Sequence, residues 1–200
     1  MRLIRRAQRV LFPLGRSEAE GLRAGQWIDD FCWEMRRNGL YVRRGMHSFK
    51  RGFFSDRYEA TLNIEPGPVN ELVVHYRDEE YQDDNFREYL ARYVDILYRV
   101  RDPRLEGRHE RISIRNRPVR GVWRRIVDLE WSGRGCQTLV DALNRDAAGR
   151  VRLMAEGLHL KIASDVAGWW IIRQARPGLP TSEQWGCIRR VANSLISTPL

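Results

Sequence analysis

The sequence predicts an α+β protein in which antiparallel meanders of strands are covered by helices. Three observations predict this class: apolar and polar residues alternate between residues 40 and 78, several capping boxes mark helix starts, and a second group of strands precedes a closing helix. The 200-residue chain is 42% hydrophobic and 30% charged. These proportions exclude a wholly disordered chain, a coiled coil and a collagen-like rod.

Two helices are predicted before the first strand. Residues 3–14 place apolar side chains at helical spacing opposite arginines, which is typical of an amphipathic helix. The second helix should begin at Ser17, because its hydroxyl group and Glu20 form a capping box. It should end at Asn38 and Gly39, where the chain is free to turn.

Strands and a third helix should follow. Residues 40–78 predict an antiparallel meander, interrupted by the Glu-Pro-Gly-Pro turn at 65–68. Asn85 and Glu88 then form another capping box. Helical spacing continues to Pro103, so a third helix covering one sheet face is predicted. Its apolar residues are Phe86, Leu90, Tyr93, Leu97 and Val100.

The C-terminal half repeats the order of strands followed by a helix. Alternation predicts a strand at 111–117, residues 119–131 fit either a strand or a helix, and residues 139–143 indicate a short helix. Thr181 and Gln184 form the capping box of a closing helix. Three further strands are predicted at 151–155, 158–163 and 169–174, the last two joined as a hairpin through 164–168.

A boundary is predicted where proline, glycine and charged residues cluster, at 103–110. It divides the chain into a lobe at 1–103, which carries the basic N-terminal helix, and a second lobe at 104–200. Each half is small for an independent core, which favours two similar lobes of one compact unit. The alternative is a single domain over 1–200.

The charge distribution indicates a polyanionic partner. The formal net charge is +9, from 35 basic and 26 acidic residues. Residues 1–57 hold 13 basic and 6 acidic residues, residues 58–110 hold 7 and 13, and residues 111–200 hold 15 and 7. Two positive segments could bind nucleic acid while the negative one steers association. The alternative is a basic surface that has no partner.

The first candidate binding site lies between Tyr41 and Tyr58, where cations alternate with aromatic rings. Cations bind phosphates, and exposed rings stack on unpaired bases. Alternatively, the rings belong to the core and the arginines only surround them. The candidate residues are Tyr41, Arg43, Arg44, Lys50, Arg51 and Phe53.

The second candidate site follows from strand geometry. In residues 111–117 the period of two places Arg111, Arg115 and Arg117 on one face and isoleucines on the other. Arg120 and Arg124 would extend this row, and guanidinium groups suit phosphate oxygens. The alternative is that Asp102, Glu106 and Glu110 pair with several of these arginines on a solvated face.

Signals for catalysis are weak. His75, Asp78 and Glu80 fall within an acidic stretch that could hold a divalent cation, although helix capping explains the acids without any metal. Cys32, Cys136 and Cys187 are far apart, so neither a disulfide framework nor a zinc site is predicted. Phosphate-binding glycine loops, nucleophile elbows and HExxH motifs are missing. We therefore expect no cofactor and no enzymatic activity.

Tryptophans and the N-terminal segment indicate protein contacts. Adjacent strand residues face opposite sides, so either both sheet faces are covered or one of Trp169 and Trp170 is an exposed interface anchor. Residues 1–14 could dock on another subunit or lie on an anionic membrane, and the alternative is that their apolar side packs on the protein's own core. The sequence contains no run long enough to span a membrane and no signal peptide, so a cytoplasmic location is expected.

Together these patterns predict a non-catalytic accessory subunit that binds the phosphates of DNA or RNA within a larger complex. The first alternative is a structural or assembly subunit that binds protein partners or another copy of itself. A metal-dependent enzyme centred on His75 is the second.

Overall fold

The computed structural model describes residues 20–37, 39–51, 55–82, 88–108, 111–175 and 180–200. It contains four α-helices among these residues, and the strands are all antiparallel. The helices are α1 Glu20–Arg37, α2 Gln137–Arg145, α3 Ala147–Ala155 and α4 Ser182–Ser197. The strands are β1 Tyr41–Arg51, β2 Ser55–Glu65, β3 Glu71–Gln82, β4 Glu88–Arg101, β5 Ser113–Arg120, β6 Ile126–Arg134, β7 Leu160–Ser164 and β8 Trp169–Gln174.

The strands form one eight-stranded sheet in the order β1-β2-β3-β4-β8-β7-β5-β6. The predicted α+β class with antiparallel strands is confirmed. β1 to β4 form a meander, and its first part agrees with the meander predicted for residues 40–78. The pairing of β4 with β8 joins this meander to the C-terminal strands. The division into lobes at residue 103 stays a prediction.

The core lies between one face of the sheet and the helices. Alternate strand residues such as Leu62, Val74 and Ile172 are buried in one cluster with the apolar faces of α1, α2 and α4. Tyr98 of β4 lies with its ring centre 6.0 Å from that of Trp185 in α4. Burial of these apolar side chains is the main favourable term in folding.

The predicted third helix is wrong, because β4 occupies residues 88–101 as a strand. β4 lies between β3 and β8 and carries apolar residues on both faces. Ile96 and Tyr98 are buried beneath the helices, whereas Leu97 lies half-buried on the opposite face. Because apolar residues occur on both faces of β4, their spacing in the sequence matches that of a helix. Asn85, the first residue of the predicted capping box, lies outside the described residues.

A second correction concerns residues 151–155, which lie in α3 rather than in a strand. Asp146 caps α3 by accepting a hydrogen bond from the Gly149 amide at 3.0 Å. Of the alternating apolar residues, Leu153 is buried but Val151 is 57% exposed, which fits one turn of a helix.

Other predicted elements are confirmed. β7 and β8 form the expected hairpin, and α2 is the expected short helix. The ambiguous region 119–131 holds the end of β5, a 3-10 turn at Val122–Arg124 and the first part of β6. The capping box of α4 is present, with the Gln184 amide donating to the Thr181 hydroxyl at 3.2 Å. Ile196, in the last turn of α4, is 40% exposed.

The N-terminal predictions are tested only in part. The helix expected over residues 3–14, together with Ser17, lies outside the described residues. α1 agrees with the rest of the second predicted helix, and Gly39 follows it with a φ of 79°, which glycine adopts readily. None of the helices in the described part of the chain is long and apolar enough to cross a membrane.

Candidate functional site

The second face of the sheet has none of the described helices packed on it, and we call it the open face. It is formed by the odd-numbered residues of β4, β5, β7 and β8, whose even-numbered neighbours are mostly buried in the core. A sheet with one solvated face normally shows mixed polar side chains there. Here one half of that face carries a concentration of positive charge.

Three cations lie in register on neighbouring strands of the open face. Arg115 of β5 pairs with Lys161 of β7, which in turn pairs with Arg173 of β8. All three side chains are exposed. We call these residues the cationic row, which spans roughly 10 Å at about 4.8 Å per strand.

The cationic row is poorly neutralised within the protein. Among the described residues, the one carboxylate at ion-pair distance from it is Asp95, whose Oδ2 lies 3.4 Å from Nε of Arg173. Both members of that pair are about half exposed, so the pair contributes little. Like charges placed directly opposite on neighbouring strands destabilise a sheet. The row is therefore an unfavourable arrangement for the free protein.

Further cations border the row on the same face. Arg111 and Arg117 are exposed and alternate with buried Ile112 and Ile114, so the predicted alternation of this strand is confirmed. Arg134 of β6 pairs with Ser113, which is two residues from Arg115 and therefore on the same face. Arg120 and Arg124 lie farther along, at the end of the β5–β6 hairpin.

The cluster predicted between Tyr41 and Tyr58 does not form a single clamp. Arg43 is exposed at the strand position opposite Asn63, on the open face with Tyr41. Arg44 pairs with the buried Leu62 position and forms an ion pair with Asp29 of α1. The two arginines therefore lie on opposite faces, which contradicts their shared role. Lys50 and Arg51 are the last two residues of β1. Phe53 lies outside the described residues.

Acidic residues separate Arg43 from the cationic row. β1 lies four strands from β8, a distance of about 19 Å at the usual strand spacing. Between them, Glu71 forms an ion pair with Arg99, and Glu59 lies 3.3 Å from Nδ1 of His75. The two predicted basic sites thus share a face but belong to different halves of the sheet.

The adjacent tryptophans have different surroundings. Trp170 is fully buried, and its Nε1–H donates to Oδ2 of Asp102 at 2.9 Å. A buried indole offers no surface to a partner, so Trp170 cannot be the predicted interface anchor. Trp169 is half-buried on the open face. The guanidinium carbons of Arg99 and Arg101 lie 4.3 and 5.1 Å from its ring centre, which partly covers the ring.

Asp102 connects this region to α4. Burial alone would raise its pKa, but hydrogen bonds from the Arg104 guanidinium and from Trp170 outweigh burial and hold the pKa below its usual range. Nη2 of Arg104 also donates to the Leu195 carbonyl of α4 at 2.9 Å. This network is structural, because a carboxylate that is 3% exposed and fully hydrogen-bonded is not available to a ligand.

The metal hypothesis receives no geometric support. Asp78 and Glu80 lie in the strand β3, not in a loop before a helix. They are three and five residues from His75, and such odd separations place strand positions on opposite faces. Within the described ranges, no group of three His, Cys, Asp or Glu residues is placed to hold a metal ion.

A cleft of about 500 Å³ lies between α3 and α4 and is lined by several arginines. Two of these already have carboxylate partners: Arg150 pairs with Asp128, and Arg190 pairs with Asp146. In each case, hydrogen bonds from the arginine lower the pKa of the aspartate. The cleft is therefore largely neutralised and is a weaker candidate than the cationic row.

Sequence reasoning missed Arg173, Arg134 and Lys161 as members of a basic site. A usable signal existed, because the predicted hairpin through residues 164–168 already places Lys161 opposite Arg173. The pairing of β5 with β7 joins residues distant in sequence, which no local pattern reveals. Comparisons with models of known protein families, with curated proteins and with solved structures find no match to this chain.

Proposed function

We propose that the protein binds the sugar-phosphate backbone of nucleic acid on its open face, as a non-catalytic accessory component of a larger complex. The observation that carries the proposal is the register of Arg115, Lys161 and Arg173 on three neighbouring strands. A bound phosphate chain would relieve the repulsion within this row. Polyanion binding therefore explains an arrangement that is unfavourable in the free protein.

The chemistry of the row suits phosphates rather than a single small anion. Guanidinium groups donate two parallel hydrogen bonds to phosphate oxygens, and an ammonium group acts as a compact point charge. Arg111, Arg117 and Arg134 extend the positive charge along the strands on either side. Neither base-edge readout nor a choice between DNA and RNA follows from backbone contacts of this kind.

The test compares two triple variants with the same net charge. Arg115→Gln, Lys161→Gln and Arg173→Gln remove the row. Arg43→Gln, Arg145→Gln and Arg152→Gln remove exposed arginines from the far end of the open face and from the helices. Both triples lower the formal net charge from +9 to +6. Binding of a labelled single-stranded oligonucleotide is measured by fluorescence anisotropy over a range of salt concentrations.

The wild type should bind with an affinity that falls steeply with salt. Loss of the row should reduce the steepness of the slope of log affinity against log salt concentration by roughly 2 to 3, because each contacted phosphate contributes about 0.7 to 0.9 to that slope. The control triple should retain a salt dependence close to that of the wild type. Equal weakening by both triples would show that only net charge matters, and would remove the proposed site.

A second candidate function is an assembly subunit that binds protein. The specific observation favouring it is a strip of apolar residues in the middle of the open face, where Val73 pairs with Leu97 and Ile171 lies on the next strand. Trp169 borders this strip and is the remaining candidate for an interface anchor. Light scattering of nucleic-acid-free protein distinguishes this candidate, which requires a defined oligomer or a stable protein complex.

A further inference from the structure

The β5–β6 hairpin extends beyond the rest of the sheet as a two-stranded arm. β7 pairs with β5 only at residues 113–115, so none of the described strands lies beside residues 117–127 as a third strand. The Asn116 side chain fixes the base of the arm by accepting from the Leu160 amide at 2.8 Å and donating to the Leu158 carbonyl at 3.1 Å. Arg150 of α3 binds Asp128 on the other strand.

Exposed apolar residues cover the arm, on both faces and at the tip. Trp123 is 89% exposed and Val122 is 79% exposed, at the turn closed by the Gly121 amide and the Arg125 carbonyl at 2.9 Å. Val119 lies on the same face of the arm as Arg117. Val127, which is 56% exposed, lies on the opposite face, the one that carries buried Leu129. Soluble proteins rarely expose so many neighbouring apolar side chains unless a partner covers them.

The backbone of the arm also holds its tip residue in an unusual conformation. Trp123 has a φ of 62° and a ψ of 24°, and it is the one non-glycine residue with a positive φ in the part of the chain that is described. A bulky side chain is disfavoured in this left-handed region. Such residues concentrate at sites of binding or switching.

The tip of the arm is positively charged, whereas its base also carries two carboxylates, because Glu130 lies opposite Arg117 and Asp128 lies opposite Val119. Residues 117–127 contain four arginines and no acidic residue. The arm continues β5, which carries Arg115, so it extends the positive surface of the open face. Charge and continuity therefore favour the same polyanion that we propose for the cationic row.

We propose that this arm enters a groove of double-stranded nucleic acid and that Trp123 wedges between neighbouring bases at its tip. This inference rests on the proposed function and adds a duplex as the substrate class. Two-stranded ribbons bind in the major or the minor groove of DNA. Apolar side chains that enter from the minor groove wedge between base steps and partly unstack them. The arginines beside the wedge meet the phosphates of both strands.

The distribution of apolar residues favours a groove over a membrane. A groove covers both faces of a ribbon along its length, and so covers Val119 and Val127 as well as the tip. A membrane would take up Val122 and Trp123 at the tip. It would leave Val119 and Val127 in water, because Arg120 and Arg125 lie between them and the tip. Anionic vesicles nevertheless serve as the competing ligand in the test.

The experiment uses a short duplex that contains 2-aminopurine at a central position, because this base brightens when it is unstacked. Wild-type protein should increase the fluorescence and bind with the salt dependence expected of the cationic row. Trp123→Ala should abolish the increase and weaken binding roughly tenfold, as for loss of one stacked base. Its salt dependence should be unchanged. Trp33→Ala, which removes another exposed tryptophan on α1, should leave both signals intact.

Three outcomes overturn the inference, and each has a distinct pattern. If Trp123→Ala matches the wild type in affinity and fluorescence, the arm has no role in the duplex and the proposed function stands. If Trp123→Ala loses only binding to phosphatidylserine vesicles, the arm is a membrane loop. If the wild type binds neither single-stranded nor duplex nucleic acid, the proposed function fails together with this inference.

Discussion

At the scale of single residues, Lys161 links stability to function. It stands between Arg115 and Arg173 on the central strand of the three, so it experiences repulsion from both sides. β5, β7 and β8 all belong to the described sheet, and no carboxylate among the described residues lies at ion-pair distance from Lys161. A residue retained for binding at a cost in stability is expected at functional sites, where local rules of folding are broken.

Lys161→Gln should therefore stabilise the free protein while weakening its binding to nucleic acid. Removing two like-charge contacts across strands should raise the free energy of unfolding by about 0.2 to 1 kcal/mol at low salt. The gain should vanish near 1 M salt, where the Debye length is about 3 Å. Urea denaturation at two salt concentrations measures the effect, and Arg152→Gln on α3 is the control. A loss of stability at low salt would mean that the row is neutralised in solution.

At the scale of elements, β6 is an edge strand whose free side is occupied by a helix side chain. Asn144 of α2 accepts from the Trp131 amide at 2.8 Å and donates to the Trp131 carbonyl at 2.9 Å. It thus makes both hydrogen bonds that a neighbouring strand would make. The Leu129 amide is likewise bonded to Oδ1 of Asp128 at 2.7 Å. Edges that are covered in this way do not pair with other chains.

Asn144→Ala should uncover this edge. The Trp131 amide and carbonyl groups would lose their partners in a half-buried setting, which should lower the free energy of unfolding by about 1 to 3 kcal/mol. The opened edge should also increase self-association on heating, measurable by light scattering alongside the unfolding curve. Asn193→Ala, an exposed change on α4, is the control. Unchanged stability would mean that the Asn144 hydrogen bonds are replaced by water at no cost.

Element prediction from the sequence succeeded where one periodicity dominated. β5 alternates cleanly because one of its faces is solvated, and α4 has its capping box and a single apolar face. β4 failed because it is a central strand: with Ile96 and Leu97 both apolar, alternation is lost and helical spacing appears by chance. The β-branched and aromatic residues of 93–100 were the better signal. Residues 151–155 failed because the cap at Asp146 was not recognised.

At the scale of the whole molecule, the sequence predicted the charge pattern but not the arrangement of the charges. The negative segment supplies most of β2 and all of β3 and β4, which stand between β1 and the cationic row. Its carboxylates neutralise Arg99 and partly neutralise Arg173. The two positive segments are consequently kept apart on the open face. From the sequence, only the part of the site that lies on β5 could be predicted. The order of strands in the sheet could not, because it depends on contacts between residues distant in sequence.

This arrangement predicts a short binding footprint. The cationic row spans roughly 10 Å, whereas seven strand spacings across the whole sheet amount to about 34 Å. Its three cations should engage about three phosphates, and the flanking arginines a few more. The log-log salt dependence of binding should therefore rise with the length of a single-stranded oligonucleotide and become constant near about six nucleotides.

A dependence that keeps steepening beyond about ten nucleotides would mean that Arg43 and the acidic middle strands also lie under the ligand. The Arg43→Gln variant would then reduce the slope, an effect that we expect to be absent because the carboxylates of β2 and β3 repel a polyanion from that half of the sheet.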